Sequence, residues 1–201
     1  MSQTQPAKTL ELSDPCKTLA SELVVDVFES MKLLQQQNGS QFIRRTFIRS
    51  FFSFLEGWGR ILRSAILESK NLGDLSPEWQ LALRDERVEI EQNGKPKTME
   101  ARFQFANLFA ATIRAWAILN GWTDEKITKE IFGDNGWNRF RQALDVRHAL
   151  THPKLGSSIE VNDEGLKCAF DAFKWFGTIS LRLLGIPLKE IDELTKWPPS
   201  K

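Results

Sequence analysis

Tyrosine is missing from this 201-residue chain, and histidine and cysteine occur twice each. Without tyrosine there is no phenolic hydroxyl for catalysis or for modification. With two histidines there are few side chains whose ordinary pKa lies near neutral pH. Cys16 and Cys168 stand far apart and form no CxxC pair, which argues against a disulfide scaffold and against a thiolate zinc site. A reducing cytoplasm is the expected setting. A charge excess is missing too: 27 Lys and Arg face 26 Asp and Glu, a formal balance of +1. Any binding of nucleic acid must therefore come from a local patch. No apolar run approaches the ~18 residues of a membrane span, and residues 1–13 are polar, unlike the apolar core of a signal peptide. No membrane partner is expected, and neither repeats nor low-complexity tracts occur.

What the chain does have is grease of a particular kind. Apolar residues make up 41 %, with 14 Phe and 7 Trp, enough for one core. The length suits one domain, placed at 14–196, between a flexible N-terminus at 1–13 and a tail at 197–201. Almost all of it reads as helix. Asp14-Pro15 opens a first helix to about Gln37, with Leu19, Leu23, Val24, Val27, Phe28, Met31 and Leu34 on one stripe. Asn38-Gly39 ends it, and Ser40 caps a second helix over 41–69. Ser76-Pro77 opens a third to about Arg84. Arg87 to Glu91 then alternate apolar with charged up to Asn93-Gly94, which predicts a small β-hairpin near 87–99, its return strand weakened by Pro96. A mostly apolar helix spans about 100–120, stopped by Gly121, and a short one spans 124–132. Asp134-Asn135-Gly136 reads as a turn. A further helix runs from about Trp137 to His152, where Pro153 disfavours helical geometry. Gly156-Ser157-Ser158 is a loop, Asn162 or Asp163 caps a last long helix to Gly185, and 188–196 is a short final helix. The fold class is an all-α, up-and-down helical bundle with a hairpin insertion.

One stretch concentrates the chemistry. Asp145-Val146-Arg147-His148-Ala149-Leu150-Thr151-His152-Pro153-Lys154 holds both histidines. With Trp137 set at zero and about 100° per residue, Phe140, Leu144 and Leu150 define a buried arc from about 220° to 340°. Arg147 falls near 280°, in the middle of it, and His148 near its rim. A guanidinium there must meet a carboxylate, a phosphate or a water-filled cleft, because burying a lone charge costs several kcal/mol or more. On the second helix, Arg45, Arg49, Arg60 and Arg63 cluster within about 60° of one another, with Glu56 among them. Such a run is usually a solvated face. The sharper reading has Glu56 fixing Arg147 across two helices while the arginines line a groove for a phosphate backbone.

Arg147-His148-x-x-x-His152 resembles the R-(N/D/H)-x-x-x-H motif of the HEPN superfamily, helical bundles of which many are metal-independent ribonucleases. The resemblance extends diffusely over roughly residues 40 to 185, including the way Pro153-Lys154 leads through Ile159-Glu160-Val161 into the last helix. It implies an endoribonuclease that needs no metal or cofactor, with Glu56 as the acidic residue that often accompanies the motif. In that chemistry a base takes the 2′-hydroxyl proton, an acid protonates the leaving 5′-oxygen and a cation offsets charge on the phosphorus. His152 is then general base or acid, Arg147 the phosphate clamp and His148 an orienter or second polar contact. Arg45, Arg49, Arg60, Arg63 and Lys154 would hold the RNA. The resemblance further implies a homodimer with two motifs facing one cleft, and a setting in toxin–antitoxin systems or phage defence, with an antitoxin or other regulatory protein as a possible partner. Some relatives are silenced on a tyrosine two residues after the motif histidine. Lys154 stands there, so that control is excluded.

Three readings compete. Asp145, His148 and His152 have the three-and-four spacing of a metal triad, although Pro153 disturbs the last ligand and no further His or Cys supports it. The domain can be a non-catalytic RNA-binding or protein-interaction module. Or Arg147 and the histidines satisfy one another and nearby carboxylates in a structural network.

Overall fold

The computed structural model describes residues 12–37, 39–91, 95–101, 103–154 and 159–183. In chain order these form α1 (Asp14–Gln36), α2 (Gln41–Glu68), a 3-10 turn (Leu72–Asp74), α3 (Pro77–Leu83), β1 (Glu86–Ile90), β2 (Pro96–Glu100), α4 (Phe105–Leu119), α5 (Asp124–Ile127), a π turn (Thr128–Phe132), α6 (Asn135–Thr151) and α7 (Asp163–Leu183). The chain is an all-α bundle with one small antiparallel hairpin, as the periodicity and the Asn-Gly signal predict.

The centre of the bundle follows from phenylalanine spacing. On α2, Phe47, Ile48, Phe51, Phe52, Leu55 and Ile66 are fully buried, too wide an arc for one neighbour to cover. Helices α1, α4, α6 and α7 accordingly all pack against α2. Phe47 stacks on Phe170 of α7 at 4.7 Å, and Phe140 of α6 lies 6.2 Å from Phe52 and 5.3 Å from Phe109 of α4. Each such pair contributes about 0.5–1.5 kcal/mol beyond its buried area. Together they lock α6 and α7 against α2.

The helix ends carry their own explanations. Ser40 accepts from the Ile43 amide, and Asn162 Oδ1 accepts from the Gly165 amide at 2.8 Å, so Asn162 rather than Asp163 caps α7. Gly121, at φ +75°, closes α4: its amide donates to Ile118 and the Trp122 amide to Ala117, the paired bonds of a Schellman ending.

Several expectations need correction. Leu19 and Phe28 are 42 % and 45 % exposed, because α1 packs mainly on α2 and only the middle of its wide apolar stripe is covered. Asn135 and Gly136 belong to α6, not to a turn before it; Asp134 caps that helix by accepting from the Gly136 amide. Glycine is required at 136, since a Cβ there would run into the Trp175 indole of α7. Helix α4 starts at Phe105, later than about 100, because β2 extends to Glu100.

The hairpin strands sit one residue away from the expected limits, paired Glu86↔Glu100, Val88↔Thr98 and Ile90↔Pro96. Pro96 is tolerated as the first residue of its strand. Asp85 anchors the base at φ 59°, a conformation aspartate adopts more readily than most residues. Its carbonyl accepts from the Ala101 amide and its carboxylate from that of Phe103. The Asn93-Gly94 turn, the loop at 156–158, the flexible N-terminus except residues 12 and 13, the helix at 188–196 and the tail at 197–201 lie outside the described residues. No described helix is long and apolar enough to cross a membrane.

Candidate functional site

The C-terminal part of α6 lies beside the middle of α2, where Arg147, Leu150 and Thr151 share a groove with Arg49, Phe52, Ser53 and Glu56. Pro153 ends the helix as expected: His152 takes φ −127°, ψ 64°, while its amide still bonds to the His148 carbonyl at 2.9 Å. His152 is therefore held to the last helical turn although its own backbone has left it. Thr151 Oγ1 donates to the Arg147 carbonyl at 2.8 Å and fixes that turn further.

Arg147 lies in phase with the buried side chains Phe140, Ala143, Leu144 and Leu150. It is only partly covered, at 27 % side-chain exposure, because the last turn of α6 reaches the rim of the core. Glu56 meets it there: Arg147 Nη2 donates to Glu56 Oε1 at 2.6 Å, across 91 residues of chain. The pairing expected between the two helices is present. Glu56 is 42 % exposed, so the pair sits at a wet boundary and neither charge bears the full cost of burial.

Arg147 lines an open cleft of about 470 Å³ together with His148, Ala149, His152 and Lys154. A smaller groove of about 140 Å³ between α2 and α6 is lined by Arg49, Phe52, Ser53, Glu56, Arg147, Leu150 and Thr151. Arg147 belongs to both. His148 and His152 are exposed, and among the described residues neither imidazole has a hydrogen-bond or ion-pair partner. A closed structural network would have engaged them. Nor do they gather a metal site with Asp145: among the described residues no three His, Cys, Asp or Glu side chains converge to hold an ion.

The arginines expected to line a groove separate into distinct surroundings. Arg49 is exposed in the groove. Arg45 leans toward the segment after the motif, its Nη1 3.4 Å from the Ile159 carbonyl. Arg60 is exposed but lines neither cavity. Arg63 is half-buried; burial depresses its pKa, with Asp85 pulling it back up and Arg60 pushing it down. It lines neither cavity, and the carboxylate whose charge reaches it is Asp85, at the base of the hairpin.

Two arginines with structural duties escaped the sequence reading. Arg44 Nη1 donates to the Val161 carbonyl at 3.0 Å and Nη2 pairs with Asp163 at 2.6 Å. Beside it, the Gln41 amide group accepts from the Val161 N–H and donates to its C=O. These bonds seat residues 159–163 on the first turn of α2, with Val161 fully buried. Arg139 of α6 pairs with Glu164 of α7 at 2.6 Å and touches Cys168 Sγ at 3.3 Å. The Glu164 hydrogen bond, then Cys168, raises the Arg139 pKa, and the Arg139 hydrogen bond lowers that of Glu164. No local pattern signals either cluster, because the partners lie 25 to 120 residues apart.

Compared with known proteins, the chain matches no family model, no curated protein and no solved structure.

Proposed function

We propose that this protein is a metal-independent endoribonuclease of HEPN type, working from the cleft at the end of α6. The observation that carries the reading is the pair of unengaged imidazoles opening into one cleft beside a guanidinium already oriented by a carboxylate. Both are exposed, so the core uses neither and each is free to meet a ligand in the cleft.

His152 acts as general base or acid. As base it takes the proton of the 2′-hydroxyl, whose oxygen attacks the adjacent phosphorus; the P–O5′ bond breaks and the 5′-oxygen leaves with a proton. The products are a 2′,3′-cyclic phosphate and a 5′-hydroxyl. Arg147 holds the non-bridging oxygens as charge builds on them, presenting a planar fork that Glu56 has fixed at one end. His148 orients the phosphate or supplies the second proton-transfer group. One chain presents these groups on an open surface, so the complete site is formed by two chains whose motifs face each other. Lys154, on the cleft wall, and Arg49, in the adjoining groove, hold the flanking phosphates. With lysine at 154, an antitoxin or regulator of a cytoplasmic defence system would act by masking the cleft, by capturing the hairpin or tail, or by another modification.

The deciding experiment is cleavage of single-stranded RNA by purified protein in excess chelator. The parent is expected to release fragments ending in 2′,3′-cyclic phosphate, and His152→Ala to lose about 10²–10⁴-fold in rate. Equal cleavage by parent and variant overturns the assignment of His152. Binding without cleavage by the parent turns the reading to a non-catalytic RNA-binding module, for which the Glu56 ion pair already occupying Arg147 is the favouring observation.

A further inference from the structure

Phe42 is 70 % exposed, the highest value among the exposed large apolar side chains of the described residues. A phenylalanine contributes to folding by leaving water, so this one contributes little to the core that the other α2 phenylalanines build. A single exposed apolar side chain needs no explanation by itself. Its register on α2 makes the difference.

At about 100° per residue, Phe42, Arg45, Arg49, Ser53 and Glu56 all fall within about 80° of arc, at successive steps of three, four, four and three. They form one crest along α2. At one end stands Glu56 with Arg147; in the middle Arg49 and Ser53 line the groove between α2 and α6. At the other end stands Phe42, about 21 Å from Glu56 along the helix axis at 1.5 Å per residue. Arg45, between them, carries its charge over the backbone of Ile159. Positive groups at intervals ending on an open aromatic face suit a polyanion with flat, unstacked rings. A duplex keeps its bases stacked on one another and cannot offer one to Phe42.

We infer that the crest is a substrate-binding track for single-stranded RNA, in which Phe42 stacks on a base several nucleotides from the scissile phosphate while Arg45 and Arg49 hold the intervening backbone. The inference rests on the ribonuclease reading and adds a binding track and its direction: the strand leaves the cleft across Arg147 and runs toward the N-terminus of α2. Phe42 is a binding residue and touches no reacting atom.

The test uses the full chain carrying His152→Ala, so that bound RNA stays intact, with fluorescently labelled single-stranded RNA of mixed sequence and a duplex of the same sequence. Phe42→Ala is expected to weaken single-strand binding about tenfold, within the range found when one base–aromatic stack is removed. Phe42→Trp should retain affinity, and Phe42→Leu should lose much of it despite its apolar side chain. Placing an abasic nucleotide at each position in turn should find one position where the loss is not additive with Phe42→Ala. Unchanged affinity in Phe42→Ala, or equal losses for single strand and duplex, overturns the track, and cleavage by the parent then shows the ribonuclease reading intact. If the parent neither binds nor cuts RNA, both fall. If Phe42→Ala instead abolishes pull-down of a protein while RNA affinity is unchanged, the crest is a protein-docking surface and the inference is wrong.

Discussion

Arg147 and Glu56 illustrate how a modest interaction can matter more for orientation than for stability. At 2.6 Å with both side chains partly exposed, the pair contributes about 0–1 kcal/mol, as half-solvated ion pairs do. Glu56→Gln is therefore expected to move the urea unfolding free energy by less than about 1 kcal/mol while reducing RNA cleavage about tenfold or more, because an unfixed guanidinium samples other orientations. Parallel unfolding and cleavage assays separate the two effects. A large stability loss with proportionate loss of activity would make the pair structural. Arg147→Lys keeps the charge but loses the planar fork, so it should not rescue Arg147→Ala fully.

At the scale of elements, the contact between α6 and α7 governs where the motif sits. Gly136 lets the start of α6 lie directly on Trp175, and Gly136→Ala would force the indole aside. The expected loss is about 1–3 kcal/mol in denaturant unfolding, typical of overpacking, with cleavage by the folded fraction retained since the cleft lies at the opposite end of α6. The same two helices are tied by Arg139 and Glu164. Hydrogen bonding from Arg139 lowers the Glu164 pKa in the folded chain, so the folded state binds fewer protons there than the unfolded state. That stability is present above the ordinary glutamate value of about 4.3 and is lost as pH falls through the lowered folded value. Glu164→Gln should thus be less stable than the parent at neutral pH, and the gap should close as unfolding is measured toward pH 3. A constant gap across that range would assign the effect to packing.

For the molecule as a whole, the near-cancelled charge provides no global field, so on the proposed reading RNA is drawn by the local crest and cleft. On the proposed reading, the open cleft walled by one helix end and the residues just after it is one half of the reaction site, and a second chain supplies the other. Sedimentation at micromolar concentration is expected to report two chains per particle. A strict monomer that cleaves RNA at full rate would show that a single cleft suffices.

Much of this was readable from residue order because it depends on local rules. Helical phase placed Arg147 among Phe140, Leu144 and Leu150, put Glu56 on the arginine face of α2, and identified the Asn-Gly hairpin; Pro153 marked the end of α6. These follow from a fixed rotation per residue and from the limits proline and glycine set on the backbone. Tertiary structure alone decided which faces were finally covered. It left Leu19 and Phe28 partly exposed, drew Gly136 into a helix, set Arg63 within reach of the Asp85 charge, and spent Arg44 and Gln41 on the backbone of Val161. Phase gives the direction a side chain leaves its own helix, whereas burial and partnership depend on what another part of the chain brings to that face.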